Sequence, residues 1–546
     1  MRKRWMMVFL IGVVILFAGG IPVTAQESGG RTQMITMPDG TKLATDIYLP
    51  KGDGPWPVLL MRTPYGRNAD GNDMGKNLLE AGIVLVSQDV RGRGDSEDVY
   101  SGFFAERADG QAMVDWILAQ PWSNGRIATY GGSALGIAQY LLAPGAPEAV
   151  VCQWMDVSTP DVYQAVYQNG VYRSELVDGW LQGIGEMHLQ ATFREHTLHD
   201  GFWDGARITD FSQVNARAVH VGGWNDILAR GTINGFLGYQ NQGGPGAAGR
   251  QHLIMGPWTH GMNSSQIGEL NMPAGALDYE GWFSKWLDAC LMEGAFGVAE
   301  MDDFDALPAV TYFTMGAANE DGAPGNEWHT AETWPPAGGT DMLVYLHPNN
   351  HLDVEPPAEN GGGDSFSYDP ADPTPTIGGA NLTIAAGVYD QREIEQREDV
   401  VVYSSTPLDQ PLEITGDLRA DIWIRTDVPD TDIVVRLTDV YPDGRSMLVL
   451  DSVMRARYHS SPDFSSEQKL EPGVPVLLSF DLGPTSIVFN AGHRIRVSIS
   501  SSNAPRFLPN PNTGAMFLTE GESGQVAHTT ILHDAAYPSA VILPVR

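Results

Sequence analysis

The spacing of apolar and polar positions changes several times along the 546 residues. TKLATDIYLP alternates at period two, as a half-buried strand does, and PVLLMRTPY is a short apolar run closing in a proline turn. LLEAGIVLVSQDVRGRG reads as a helix end, a glycine and a buried strand. In DGQAMVDWILAQ the apolar Met113, Trp116 and Ile117 recur at helical spacing. GRIATYGGS is a strand entering a sharp turn, and ALGIAQYLLA is a helix. Short continuous apolar strands between helices predict a parallel sheet with helices on both faces, over residues 26–155.

Residues 156–216 break the rhythm. DVYQAVYQNGVYRSELVDGWLQGIGEMHL is helical and rich in Tyr and Trp, which predicts an inserted helical cap. The α/β alternation returns over 217–304 with ARAVHVGGWND, GTINGFLGYQNQ, QHLIMGPWTHG and the amphipathic YEGWFSKWLDACLM. From 305 to 546, strand-like runs separated by Pro, Gly, Asp and Asn dominate, among them LEITGDLRADIWIRT, DIVVRLTDVY and HRIRVSISSS. Regular short strands predict an all-β sandwich of jelly-roll, galactose-binding-like form. The fold class is therefore α/β, with a helical insertion and a separate all-β domain.

The first 25 residues are a different text: basic Arg2, Lys3 and Arg4, an apolar run from Trp5 to Ile21, then Val23-Thr24-Ala25. This predicts a cleaved signal peptide and a secreted or periplasmic protein, with an uncleaved anchor as the competing reading. The net charge of −34 makes nucleic acid and anionic lipid poor partners, and no membrane contact beyond the leader is expected. The two cysteines, Cys152 and Cys290, could bridge, but each sits in an apolar run that suits a buried small hydrophobe.

Candidate chemistry centres on TYGGSALGIAQ at 129–139. A serine hydroxyl needs a base to take its proton and a carboxylate to orient that base. In α/β-hydrolases these stand in the order nucleophile, acid, histidine, each after the carboxyl end of a sheet strand. Ser133 follows the strand at Arg126–Tyr130, Asp226 follows AVHVGGW, and His260 follows HLIMGPW. His252 lies at the wrong end of its strand, and His188, His196 and His199 fall in the insertion. One feature departs from the usual G-x-S-x-G: Leu135 stands at +2 and the glycine, Gly136, at +3.

YGGSALG resembles the +3-glycine elbow of the cocaine esterase and X-Pro dipeptidyl-peptidase group of α/β-hydrolases (CocE/NonD family hydrolases). RTPYGR, QDVRGRGDSE, DWILAQPWSNGRIATYGGS, GGWND, GPWTHG, PAVTYFTMG, SYDPADPTPTIGG and LTDVYPDGRS resemble further segments of that group in order. The resemblance implies Ser133 as nucleophile, His260 as general base and then acid, and Asp226 as the group holding His260 in its tautomer. It implies an oxyanion hole from the Ala134 backbone N–H and the Tyr65 phenol. Where the group usually has Tyr after the serine this chain has Ala134, which keeps the N–H and removes a bulky pocket wall.

Other residues admit plainer readings. Trp154, Tyr163, Tyr167, Trp224 and Trp258 are candidate walls of the substrate pocket, and equally candidates for packing. Tyr172 and Trp180 stand in the same position. Glu175, Asp178, Glu186 and Glu195 are candidates, by location in the insertion, to grip a free amino terminus. Arg93-Gly94-Asp95 is a strand-end loop, with Asp89 and Arg91 structuring it. His347 and His351 have a metal-like spacing, but Pro348 opposes a shared helix face. No metal or organic cofactor is implied. The expected activity is hydrolysis of a small ester or amide, with esterase or acylase preferred over X-Pro dipeptidyl-peptidase cleavage of a short peptide. A silent secreted binding module is the reading from another class, and the oligomeric state stays open.

Overall fold

Continuous apolar runs become the centre of one mixed sheet. The computed structural model describes residues 30–67, 73–292, 307–318, 320, 322–359, 362–519 and 521–546. The leader predicted at 1–25 lies outside them. Strands β1 (Arg31–Thr36), β2 (Lys42–Tyr48), β3 (Trp56–Thr63), β4 (Val84–Asp89), β5 (Ser123–Gly132), β6 (Val150–Asp156), β7 (Arg217–Gly223), β8 (Gln251–Gly256), β9 (Val310–Thr314) and β10 (Glu327–Ala331) line up as β1-β2-β4-β3-β5-β6-β7-β8-β9-β10. From β4 through β9 the neighbours run parallel, and antiparallel pairs close both edges. All six residues of β4 and of β8 are buried, as strands covered on both faces require. Helices α1 (Asp73–Glu80), α2 (Glu106–Leu118) and α3 (Ala134–Leu142) connect the first strands.

Between β6 and β7 the chain makes α4 (Val162–Val166), α5 (Ser174–Ile184) and α6 (Leu189–Glu195), with two short 3-10 turns. Helix α7 (Ala229–Gln242) follows β7, and α8 (Tyr279–Leu287) follows β8. The insertion has its own apolar core, including Tyr163, Tyr167, Val177, Leu181, Phe193 and Trp203, which also takes in Ala134 and Ile137 of α3. It therefore packs directly over the β5–α3 turn.

Two expectations need correcting. The α/β part does not stop at 304, because β9 and β10 join its sheet, β9 pairing parallel to β8 through Leu253 and Val310. PAVTYFT has the composition of any half-buried strand, and nothing local says which sheet receives it. The cysteines are not separate hydrophobes either. Cys152 in β6 and Cys290 just beyond α8 form a disulfide across 138 residues, their Cα atoms 6.0 Å apart.

The C-terminal part is all-β. Its long strand Leu412–Thr426 pairs with Val476–Phe489, Ala527–Asp534 and Ala540–Val545, all antiparallel. Among its buried charges, Arg455 pairs with Asp432 and Arg457 with Asp430. Ion pairs from Arg230 of α7 to Asp417 and Asp481 tie this domain to the sheet domain.

Candidate active site

Three strand-end loops converge. At the end of β5, Ser133 has φ 55° and ψ −123°, a conformation costly for a residue with a Cβ and held here by its surroundings. Its N–H donates to Asp156 O at 2.9 Å, and its carbonyl accepts from Ser158 Oγ at 3.1 Å. Gly131 before it has φ 145°, and a side chain there would overlap Leu135. Leu135 thus uses the space that Gly131 leaves, which is why the +2 position tolerates leucine.

The loops carrying the acid and the histidine are zipped together. Trp224 N–H donates to Gly256 O at 2.9 Å and Asn225 N–H to Trp258 O at 3.0 Å, while Asn225 Nδ2 donates to Pro257 O at 2.8 Å. A Cβ on Gly223 would lie 2.1 Å from Trp258 O, so this contact requires glycine. The repeated G-x-W pattern is the backbone solution that lays Asp226 beside His260. Asp226 Oδ1 stands 2.6 Å from His260 Nδ1, and His260 Nε2 stands 2.9 Å from Ser133 Oγ. Asp226 and His260 are both buried, at 3% and 6% exposure. The structure brings Ser133, Asp226 and His260 into one hydrogen-bonded line.

Tyr65 follows β3, in a turn where its N–H donates to Thr63 Oγ1. Its ring is partly open, at 45% exposure, and its hydroxyl accepts from Trp180 Nε1 at 3.0 Å beside Ser133. Burial of that oxygen raises the phenol pKa, so the proton stays on. Ala134 opens α3, where the first N–H groups have no partner within the helix. Arg93 fixes the Tyr65 turn by donating to Pro64 O at 2.9 Å and pairs with Glu186 of the insertion. The Arg-Gly-Asp tripeptide is thus a structural loop. So is its neighbourhood, where Asp89 accepts the Asp95 N–H and Arg91 pairs with Asp109.

A narrow apolar cavity of about 60 Å³ opens beside Ser133. Phe103, Ala134, Ile137, Val162, Val166, Val177, Trp180, Phe193 and Leu228 line it, with Leu382 contributed by the β domain. Of the wall candidates read from the sequence, Trp180 lines it, and Trp154, Tyr163, Tyr167, Tyr172, Trp224 and Trp258 do not. Trp154 is fully buried, its indole donating to Asp156 and Tyr279, and Trp258 is fully buried with its indole on Gly275 O. Neither lines the cavity. Tyr163, Tyr167 and Trp224 face a separate cavity of about 470 Å³, of mixed polar and apolar lining, that reaches Asp226 but not Ser133. The Ile227–Leu228 segment is the wall common to both cavities. Which side an aromatic of the insertion faces depends on how the insertion packs, and helical periodicity does not report that.

The insertion's carboxylates are engaged. Glu175 accepts backbone N–H groups of Leu382 and Thr383, Asp178 accepts from Tyr172 and pairs with Arg194, and Glu186 pairs with Arg93 and His188. Glu195 is exposed. None of the four lines the cavity beside Ser133. His347 and His351 contact Glu355 O and Asp353 respectively, so each ring has its own protein partner.

Known proteins match along most of the length. A family model described as X-Pro dipeptidyl-peptidase (S15 family) covers residues 39–192 and 186–262, and one described as the X-Pro dipeptidyl-peptidase C-terminal non-catalytic domain covers 302–542. Cocaine esterase from Rhodococcus sp. (strain MB1 Bresler) is 27% identical over 94% of this chain and 97% of its own. An aminopeptidase from a marine sediment Thaumarchaeota archaeon superposes with a TM-score of 0.80 at 25% identity, covering 97% of this chain and 99% of that one. An alpha-amino acid ester hydrolase, at 24% identity, shares the fold with a TM-score of 0.78 over 98% of this chain and 100% of its own. With both family models in chain order on an α/β-hydrolase sheet and an all-β C-terminal domain, the chain belongs to the cocaine esterase and X-Pro dipeptidyl-peptidase group of α/β-hydrolases, and it is a serine hydrolase.

Proposed function

We propose that this serine hydrolase is an exported esterase or acylase that cleaves a small ester or amide through an acyl-enzyme on Ser133. The observation that carries the preference is the cavity beside Ser133, whose walls are apolar apart from the nucleophile itself. A dipeptidyl-peptidase must hold a protonated amino terminus, and an unpaired cation in such a pocket is costly. Glu175, Asp178 and Glu186 are already committed to other partners. The peptidase reading keeps support from the name of the archaeal aminopeptidase relative.

In this reading His260 Nε2 takes the Ser133 proton as Oγ attacks the carbonyl carbon, and Asp226 holds Nδ1–H so that Nε2 is the basic nitrogen. The tetrahedral oxyanion is met by the Ala134 N–H and the Tyr65 phenol. His260 then protonates the leaving alcohol or amine. Water, deprotonated by the same imidazole, attacks the acyl-enzyme and frees the acid. The helical insertion acts as a cap over the acyl group, and the β domain is read as a jelly roll. Residues 1–25 are read as a signal peptide. The buried Cys152–Cys290 disulfide supports an oxidising destination.

A fluorophosphonate probe should label the protein covalently, and the label should disappear in Ser133→Ala. Labelling that persists in that variant overturns Ser133 as nucleophile. Assayed in parallel, p-nitrophenyl acyl esters should be cleaved faster than Ala-Pro or Gly-Pro anilides. Activity on the anilides alone moves the assignment to the peptidase. N-terminal sequencing of exported material should begin at Gln26.

A further inference from the structure

The Tyr65 hydroxyl is held by a side-chain hydrogen bond. Trp180 Nε1 donates to it at 3.0 Å, and the Ser133 side chain lies beside it. An indole N–H is a donor with no acceptor capacity, so the Trp180 contact runs in one direction. The phenol accepts there, so its single hydrogen points away from Trp180 and is free to serve the Ser133 side. Ser133 in turn faces His260 Nε2 at 2.9 Å, and His260 Nδ1 faces Asp226. Trp180 is therefore the donor that fixes the phenol oxygen as an acceptor beside this hydrogen-bonded line of Ser133, His260 and Asp226. Were Trp180 absent, nothing in this set would stop the phenol from turning its hydrogen away from Ser133.

Trp180 is itself held firmly. Its ring stacks on Phe103 at 5.5 Å with planes 8° apart, and meets Tyr100 edge-on at 6.3 Å. It lies on α5, the helix whose Glu175 carboxylate accepts the Leu382 N–H of the β domain at 3.0 Å. The donor to Tyr65 thus comes from the insertion, and the insertion is pinned by the C-terminal domain.

We propose that Trp180 is a positioning residue for the oxyanion hole. It fixes the Tyr65 phenol with its hydrogen toward the oxyanion, and it does so from α5, so the hole is complete when the insertion is seated on the catalytic sheet. The proposal rests on Tyr65 being an oxyanion donor, and the experiment separates the two claims. Wild type, Trp180→Phe, Tyr65→Phe and the double variant are compared on one p-nitrophenyl ester. Phenylalanine keeps an aromatic ring against Phe103 and removes the N–H. Tyr65→Phe should lower kcat by roughly 10²- to 10³-fold. Trp180→Phe should lower kcat about 10-fold, with KM within about twofold, and should cost less than about twofold once Tyr65 is already Phe. Inhibition by a phenylboronic acid, whose serine adduct is tetrahedral, should weaken in proportion to kcat.

A Tyr65→Phe variant with full activity sinks the oxyanion reading itself. A damaging Tyr65→Phe, with Trp180→Phe costing nothing or costing the same in both backgrounds, refutes the positioning role alone. Should Trp180→Phe fold poorly, benzothienylalanine at 180, which swaps the N–H for sulfur in an almost unchanged ring system, carries the same test.

Discussion

Gly136 lies so close to Ser158 that a Cβ at position 136 would sit 2.6 Å from the Ser158 Cβ. The glycine at +3 from Ser133 is there because α3 must pass this close to the segment after β6, from which Ser158 Oγ bonds the Ser133 carbonyl. Gly136→Ala should push α3 and Ser133 away from His260. Overpacking of this kind costs about 1–3 kcal/mol. Urea denaturation should show that loss, with kcat falling by more than about 10-fold because Ser133 itself moves.

Asp226 holds one imidazole nitrogen and leaves the other to Ser133. Asp226→Asn should keep the fold and lower kcat by about 10³ to 10⁴, since an amide permits the unproductive tautomer. Steady-state kinetics on an activated ester, with a circular dichroism spectrum matching wild type, checks this.

Ala134 lines the apolar cavity where relatives are expected to carry tyrosine. Ala134→Tyr should fill that space while retaining the backbone N–H. Activity on a p-nitrophenyl acetate should then hold within about threefold, while longer or branched acyl esters lose about 10-fold or more, as one or two methylenes of pocket space decide. A uniform loss across acyl lengths would place the acyl group elsewhere.

Asp156, whose backbone carbonyl accepts the Ser133 N–H, accepts at its carboxylate from Tyr279 at 2.6 Å and from Trp154 at 2.8 Å. Burial pushes its carboxyl up to about 7, against the opposing pull of the Tyr279 and Trp154 hydrogen bonds. The folded protein therefore keeps a proton that the unfolded chain releases near pH 4. Stability should fall as pH rises between the two values, by about 1.4 kcal/mol per pH unit, and the contribution should level off above pH 7. Asp156→Asn removes this slope. Denaturation of both proteins at about pH 5, 6 and 7 tests it, and parallel pH dependences would count against the buried proton.

The Cys152–Cys290 bridge closes a loop of 138 residues and is buried at both ends. By chain entropy it stabilises the fold by up to about 5 kcal/mol. Mild reductant should leave the native protein unchanged, while the Cys152→Ala, Cys290→Ala variant should unfold at clearly lower urea. Rapid release of two thiols from native protein would contradict the burial.

The sequence by itself carried the elements that depend on neighbours in the chain. Apolar runs bounded by glycine marked β5, β7 and β8, and three candidates in the required order, Ser133, Asp226 and His260, marked the loops after them. These were legible because strand burial and turn chemistry are local, and because the order of residues along the chain survives folding. Tertiary structure alone decided what depends on packing angles and long separations. Trp154, Trp180 and Trp258 are the same residue type in similar apolar text, yet only Trp180 reaches the Ser133 cavity and the Tyr65 hydroxyl. Cys152 and Cys290 meet because β6 and the end of α8 are brought together, and β9 joined the first sheet rather than the second because its partner, β8, offered a free edge. A side chain's period tells which way it points on its own element, whereas its partner is set by where the other elements come to rest.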